Sequence, residues 1–205
     1  MRANQTIGNR ITGETLTMLV SEEDNEGALQ VYRVVLPPHR PGPPLHYHIA
    51  FRETFAVEEG TLDIYVGRKR THIVLKPGDR ATAQIGQPHT FANHSGERSV
   101  IKVETKPAGG VVRAFQLAYA VANAGRASAD GLPRNPLLRL RFIQISQGFL
   151  PGIPLWLQRA VFGIAAFLAR ITGAERRVKR YLTASENQEP PEPEGWEALL
   201  GQRKT

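Results

Sequence analysis

The 205-residue sequence predicts a mainly β fold followed by a helical appendage, and three observations support this prediction. Short segments rich in Val, Ile, Thr, Tyr and Phe recur from Thr15 to Lys106, separated by Gly and Pro turns. After Pro107 the apolar residues recur with helical spacing instead. Three histidines and one glutamate lie in the β-rich part at intervals that suit strands.

The β-rich part contains a series of short strand-like segments. In chain order their sequences are LTMLV, LQVYRVVL, ETFAVEE, LDIYVG, THIVL and SVIKVETK. β-Branched and aromatic residues dominate them, and these residue types fit a pleated surface. Regular short strands separated by turn residues are typical of an all-β sandwich or barrel. We therefore assign residues 1–110 to a β-barrel domain.

The part after Pro107 is expected to form helices. The segment VVRAFQLAYAVANA ends at Gly125, a suitable residue just beyond a helix C-terminus. Asn135 and Pro136 supply an N-cap and a first-turn proline, and Pro154 opens the most apolar helix, LWLQRAVFGIAAFLARIT. We assign residues 111–182 to a basic helical extension that packs on the barrel or on a partner, and the Pro- and Glu-rich residues 183–205 to a disordered tail.

The amino-acid composition excludes several classes of protein and of metal site. With 41% hydrophobic and 22% charged residues, the chain has the balance of an ordinary globular protein. The absence of cysteine excludes disulfides, thiolate metal ligands and a cysteine nucleophile. The N-terminus is polar and lacks the apolar stretch of a secretory signal, and the longest apolar run, residues 160–169, is shorter than the ~20 residues that span a bilayer. A cytoplasmic protein is therefore expected.

The positive charge of the chain lies in the helical extension. The net charge is +7, and between Arg126 and Leu182 ten Arg or Lys residues stand against two acidic residues. The cluster ERRVKRY lacks the interleaved aromatic residues that stack on bases, and no nucleic-acid-binding motif accompanies it, so nucleic-acid recognition is not expected.

The helix opened by Pro154 carries an unusually apolar surface. Arg159 and Arg170 share one narrow stripe with Gly163, and the rest of the surface is apolar. We expect this surface to pack on the barrel or on a second subunit of a homodimer. Peripheral contact with an anionic membrane through the basic helices is the alternative.

The histidines and the glutamate form a candidate metal site. His46 and His48 are separated by one residue, so on a strand they project to the same face while Tyr47 points away. Glu53 follows after an interval that can hold a turn, and His89 arrives from a distant strand. Three imidazoles and a carboxylate suit a divalent transition metal such as Fe, Mn, Zn or Ni.

Two segments around these residues resemble the two sequence motifs of the cupins. The run from Gly42 to Gly60 is similar to the first motif and the run from Gly78 to Asn93 to the second, although Gln84 stands where the second motif normally has proline. The resemblance implies a double-stranded β-helix, jelly-roll-like barrel that holds one metal. It implies four ligands, His46, His48, Glu53 and His89.

Strand alternation suggests what surrounds the metal. If Glu53 faces inward, Phe55 and Val57 do so too, and Phe91 lies beside His89. These residues, with Gln84, make up the predicted substrate pocket, and they favour a small hydrophobic or aromatic molecule.

The sequence leaves the reaction open. By analogy with the resembled family, dioxygenase-like oxidation of the small molecule is our first hypothesis. Metal-dependent isomerase, cyclase or lyase chemistry fits the same ligands. A non-catalytic ligand-binding or assembly module, with a structural metal or none, is the alternative from a different functional class. Whether the protein is an enzyme is therefore not decided by its sequence.

Overall fold

Nine strands precede four helices in the computed structural model of this chain, which describes residues 1–186. The strands are β1 (Thr6–Gly8), β2 (Thr15–Val20), β3 (Gln30–Leu36), β4 (Arg52–Glu59), β5 (Leu62–Val66), β6 (Thr71–Leu75), β7 (Arg80–Ala83), β8 (His89–Ala92) and β9 (Ser99–Lys106). The predicted strand segments are all confirmed. The structure adds β7 and β8 within the second motif, and β1, whose three residues are too few to show alternation.

The strands form two sheets in which every pairing is antiparallel. The larger sheet has the order β1-β2-β3-β9-β4-β7, and the smaller has the order β6-β5-β8. The inner faces of the sheets meet, since the rings of Phe55 on β4 and Phe91 on β8 lie 5.2 Å apart. Residues of β3 alternate between buried and partly exposed along the strand, as expected when one face of the sheet covers the core. The mainly β fold class predicted for this part of the chain is thus confirmed.

The helices are α1 (Val111–Asn123), α2 (Pro136–Ser146), α3 (Leu155–Ile171) and α4 (Ala174–Glu186). The predicted N-cap is confirmed, because the Asn135 side chain accepts hydrogen bonds from the amides of Leu137 and Leu138. Gly125 follows α1 with a φ of 72°, as predicted for a residue that ends a helix. The ERRVKRY cluster lies within α4. The tail predicted from residue 183 falls, beyond Glu186, outside the described residues.

Helix α1 joins the two hydrophobic cores of the molecule. Val112 and Tyr119 belong to the core inside the sheets, whereas Leu117 and Val121 belong to a second core formed among the helices. In that second core α1 packs against α2 and α4, and α3 packs against α2 and α4. The helical extension is therefore continuous with the barrel core.

Among the described residues, no single helix is long and apolar enough to cross a membrane. Helices α3 and α4 meet that test of length and composition only when they are taken together as a pair with a bend of 88°.

Four glycines in the two motifs occupy positions where a side chain would be strained or would clash. Gly60, Gly78 and Gly86 have φ values of 72°, 91° and 75°, which other residues seldom adopt. Gly42 is required for a steric reason, because a Cβ atom at this position would lie 1.6 Å from the carbonyl oxygen of Phe91. Its segment therefore runs directly against β8, next to the candidate site.

Asn93 joins three backbone segments at the end of the second motif. Its side chain is fully buried, and its amide nitrogen donates to the carbonyl oxygens of Leu36, Pro37 and Glu97 at 3.4, 2.9 and 2.8 Å. Its side-chain oxygen accepts hydrogen bonds from the backbone amide and the hydroxyl of Ser95. The loop after β8 is thereby attached to the end of β3.

We expect Asn93→Asp to destabilise the fold. The substitution keeps the shape of the side chain but replaces a donor that serves three buried carbonyls with an acceptor that repels them. Its free energy of unfolding should fall by about 3 kcal/mol, measured by urea denaturation. Gln84→Glu makes the same change on an exposed side chain and should leave stability nearly unchanged. Equal stability of the two variants would contradict this role for Asn93.

Candidate metal centre

Four side chains from separate parts of the barrel meet at one place. His46 and His48 lie in the segment before β4, Glu53 is the second residue of β4, and His89 begins β8. The segment holding the first two histidines is extended without being part of a named strand. His46 and His89 pair through both backbone hydrogen bonds, at 3.0 and 2.7 Å. One nitrogen or oxygen from each of the four side chains lies within 4.8 Å of the others.

Backbone carbonyls orient the three imidazole rings. The Nδ1 atoms of His46, His48 and His89 lie 2.8, 3.0 and 3.1 Å from the carbonyl oxygens of Pro44, Gln147 and Gln87. A carbonyl oxygen can only accept, so each Nδ1 carries the proton. When such a ring is neutral, it presents a free lone pair on Nε2, which is the arrangement found in histidines that bind metals.

The four side chains fit a cation. Oε2 of Glu53 lies 3.1 Å from Nε2 of His89 and 3.5 Å from Nε2 of His48. In the neutral tautomers these atoms would point lone pairs at one another, and a proton or a metal ion between them relieves that repulsion. The Nε2 atom of His48 is buried without a hydrogen-bond partner. The donor set of nitrogen and carboxylate oxygen suits a transition metal.

Protonation at this site is strongly perturbed. Burial, followed by the nearby positive charge of His89 and His48, lowers the pKa of His46 to about 3, so its ring is neutral at pH 7. Burial alone would raise the pKa of Glu53, but in the metal-free centre interactions with protonated His48 and His89 hold the pKa well below its usual range. The site therefore offers an ionised carboxylate and a neutral imidazole, which are the forms that bind metals.

Tyr32 is a residue of the site that the sequence analysis missed. Its hydroxyl donates a hydrogen bond to Oε1 of Glu53 at 3.1 Å, so the two carboxylate oxygens have different roles. Burial, followed by the charge of Glu53, raises the pKa of Tyr32 well above its usual value and keeps it a donor. Its inward position follows from alternation along β3, but its closeness to Glu53 depends on β3 and β4 both pairing with β9.

A cavity of about 210 Å³ borders the centre. Aliphatic and aromatic side chains form most of its wall, which also includes His46, His48 and Glu53 of the candidate centre. Phe55 and Phe91, two of the predicted pocket residues, line it. Val57 does not, because it lies four residues beyond Glu53 on β4 and packs in the core. Gln84 does not either, since it lies exposed in the turn after β7.

The helical extension forms the far wall of this cavity. Its lining includes residues of α1, of α2 and of the segment after α2: Val111, Ala114, Phe115, Phe142, Ile143, Ser146, Gly148 and Leu150. The segment after α2 also pairs with the histidine segment, because Tyr47 and Phe149 exchange both backbone hydrogen bonds at 2.9 Å. Gln147, whose carbonyl orients His48, adopts a left-handed conformation with a φ of 55°. The contribution of the helical extension to the site was not predicted from the sequence.

The depressed pKa of His46 predicts acid sensitivity of the metal-free protein. When unfolded, this residue takes up a proton near pH 6.5, but when folded only near pH 3. Between these values the unfolded state binds more protons, so the melting temperature should fall as pH is lowered from 7 to 4. Glu53 acts in the same direction, because its depressed pKa contributes stability that is lost in acid.

Thermal melts in the presence of a chelator test this prediction. His46→Gln should show a shallower fall in melting temperature between pH 7 and pH 4 than the wild type. His94→Gln changes an exposed histidine outside the site and should keep the full slope. A slope for His46→Gln as steep as that of the wild type would contradict the assignment.

Comparison with known proteins identifies the β domain. Residues 32–103 match the family model of the cupin domain. A comparison with curated protein sequences finds no significant match. Solved structures that resemble the chain include a Thermus thermophilus protein at 26% identity, covering 40% of this chain and 75% of that chain with a TM-score of 0.37.

Two further structures resemble the chain. One is a conserved Klebsiella pneumoniae protein with a double-stranded β-helix domain, at 22% identity over 45% of this chain and 75% of that chain, with a TM-score of 0.39. The other is a predicted oxalate decarboxylase from Thermotoga maritima, at 18% identity over 51% of this chain and 92% of that chain, with a TM-score of 0.44.

The matched residues contain three of the candidate site's elements, namely the two-histidine segment, Glu53 on β4 and His89 on β8. They form most of the two facing antiparallel sheets described above. The β domain that contains these residues is therefore a cupin domain.

Proposed function

We propose that this protein is a metal-dependent enzyme that oxidises a small apolar molecule with O₂. The observation that carries the proposal is the orientation of the three histidines, whose Nδ1 atoms are all bound to carbonyls, so that the Nε2 atoms and Glu53 converge beside an apolar cavity. Both oxygen atoms would enter the product, so the reaction needs no external reductant.

The ligands proposed for the metal are His46, His48, Glu53 and His89. Three nitrogen donors favour Fe, Mn, Zn or Ni over Mg or Ca, which prefer oxygen ligands. When bound, Fe(II) would supply oxygen activation, whereas Zn, Mn or Ni would supply Lewis-acid polarisation.

The cavity supports the proposed substrate class. An apolar protein cavity of about 150 Å³ is large enough to bind benzene, and the cavity here measures about 210 Å³. Phe55, Phe91 and Phe142 contribute aromatic surface to its wall. We infer that a molecule built on a single ring, or an aliphatic molecule of similar size, would be held with its reactive end toward the ligands.

The titratable groups of the cavity favour oxidation over isomerase, cyclase or lyase chemistry. Those reactions need an acid or a base placed at the substrate. Among the described residues that line the cavity, Glu14 is bound by Arg40 at 3.0 Å and Arg139 by Asp130. Tyr32 is bound to Glu53. Each of the titratable side chains apart from the proposed ligands is therefore already engaged with another protein group.

The first prediction from this proposal concerns metal content. Protein purified without chelator should contain close to one transition-metal ion per chain, measured by inductively coupled plasma mass spectrometry. His48→Ala should reduce this content more than tenfold, because it removes a buried ligand. His94→Ala, on the surface, should not change it. Equal metal content in wild type and His48→Ala would refute the assignment.

The second prediction concerns the hydroxyl of Tyr32. Tyr32→Phe should weaken metal affinity roughly tenfold, because Glu53 loses the donor that orients it. Tyr119→Phe is the matched control, since Tyr119 is equally buried but its hydroxyl has no hydrogen-bond partner. Competition with a chromogenic chelator measures both. An unchanged affinity for Tyr32→Phe would contradict its orienting role.

The third prediction concerns activity. The Fe(II)-loaded protein should consume O₂ in the presence of a member of a panel of phenols and 1,3-diketones, with an oxygen electrode as the readout. Oxygen-18 from O₂ should appear in the product. Tight metal binding together with binding of a small molecule but no O₂ consumption would overturn the proposed dioxygenase activity and favour a binding module.

A further inference from the structure

Helix α3 presents a broad apolar surface to the outside of the molecule. Trp156, Ile164, Phe167 and Ile171 are 71%, 61%, 63% and 64% exposed, and Leu157, Val161 and Leu168 are each about 40% exposed. These seven residues are called the α3 face below. So many large apolar side chains on one helix exceed the scattered apolar residues that are normal on protein surfaces.

The α3 face points away from the rest of the protein. The side of α3 that packs on the other helices consists of Gln158, Phe162, Ala165 and Ala169, which are buried. At 3.6 residues per turn these four residues form one narrow stripe. The α3 face lies on the opposite side of the helix, so it covers none of the described core.

The α3 face continues into the loop that precedes the helix. Leu150 and Ile153 are 39% and 41% exposed. The buried side chain of Gln158 holds both in place, because it accepts a hydrogen bond from the amide of Leu150 and donates to the carbonyls of Leu150 and Ile153. Leu150 also lines the cavity beside the candidate site.

Basic side chains flank this apolar surface. Arg159 and Arg170 are exposed along one border of the α3 face. At the α3–α4 turn and in the first turns of α4, Arg176, Lys179 and Arg180 are also exposed, with Arg177 partly so. Among the described residues of α4, the acidic side chain in the first turn is Glu175, which is bonded to Arg141. The flank is therefore positively charged.

We propose that the α3 face docks this protein on an anionic membrane surface. In an antiparallel pairing of two copies through α3 the same cations would lie against one another, and this like-charge repulsion opposes such a dimer. Anionic lipid headgroups complement the cations, while the apolar side chains enter the headgroup and acyl boundary. Trp156, the most exposed residue of the α3 face, belongs to a residue type that is enriched at that boundary.

Vesicle flotation with the full-length protein tests this proposal. The protein should float with vesicles of 30% phosphatidylglycerol in phosphatidylcholine and remain unbound with pure phosphatidylcholine. Raising NaCl from 50 mM to 500 mM should weaken binding, because salt screens charges at a surface. In the Trp196→Phe variant, the fluorescence of Trp156 should shift to shorter wavelength on binding, since the indole leaves water. Failure to bind the anionic vesicles would overturn the proposal.

Two pairs of variants distinguish binding through the α3 face and its basic flank from nonspecific adsorption to vesicles. Ile164→Asp with Phe167→Asp should reduce binding more than tenfold, whereas Ile73→Asp with Val74→Asp, on exposed positions of β6, should leave it unchanged. Arg176→Glu with Lys179→Glu should reduce it roughly tenfold, whereas Arg68→Glu with Lys69→Glu, in the β5–β6 turn, should not. All substituted side chains are exposed, so circular dichroism should show folded protein.

A homodimer formed through the α3 face would give a different set of results. If a second copy covers the α3 face, light scattering should give a dimer mass that Ile164→Asp with Phe167→Asp converts to a monomer, with no vesicle binding by the wild type. That result would overturn the proposal. Equal vesicle binding by the variant of the α3 face (Ile164→Asp with Phe167→Asp) and the β6 variant (Ile73→Asp with Val74→Asp) would also overturn the proposal. Neither measurement depends on metal content or on activity.

Discussion

The buried carboxylate of Glu53 is the group on which the arrangement of the site depends. Removing a charge from water is costly unless partners surround it. The barrel provides those partners, with the hydroxyl of Tyr32 on one oxygen and the imidazoles of His48 and His89 near the other. Because Tyr32 lies on β3 and His89 on β8, the interactions of this carboxylate join both sheets. The stability of the barrel and the chemistry of the centre are thus linked through one side chain.

The meeting of the four side chains was expected from the sequence for two different reasons. One intervening residue places His46 and His48 on the same side of an extended segment, whereas the inclusion of His89 followed from the resemblance to the cupin motifs. That these residues bind a metal stays a prediction. Tyr32 could not be predicted, because its contact with Glu53 requires the register of β3 and β4 on β9. Gln147 could not be either, since nothing local indicates that its carbonyl meets His48, 99 residues away.

The helical extension has a larger role than its composition suggests. Its excess of positive charge separates it from the nearly neutral barrel, and it reads as an appendage in sequence. In the structure α1 joins the barrel core to the helix core, and α2 with its following segment closes the cavity. The same extension carries the α3 face. Substrate enclosure and the proposed contact with a lipid surface therefore lie in adjoining parts of one substructure.

The left-handed conformation of Gln147 limits how the barrel and the helical extension can be exchanged between related proteins. Since the carbonyl of that residue fixes the ring of His48, the barrel is not an interchangeable module with a self-sufficient centre. Grafting the barrel onto another tail would remove the acceptor for Nδ1 of His48, even with every side chain of the centre retained. Changes in the two halves of the chain must therefore be compatible, and chimaeras with relatives should work only when their junction keeps residues 46–48 and 147–149 from the same parent.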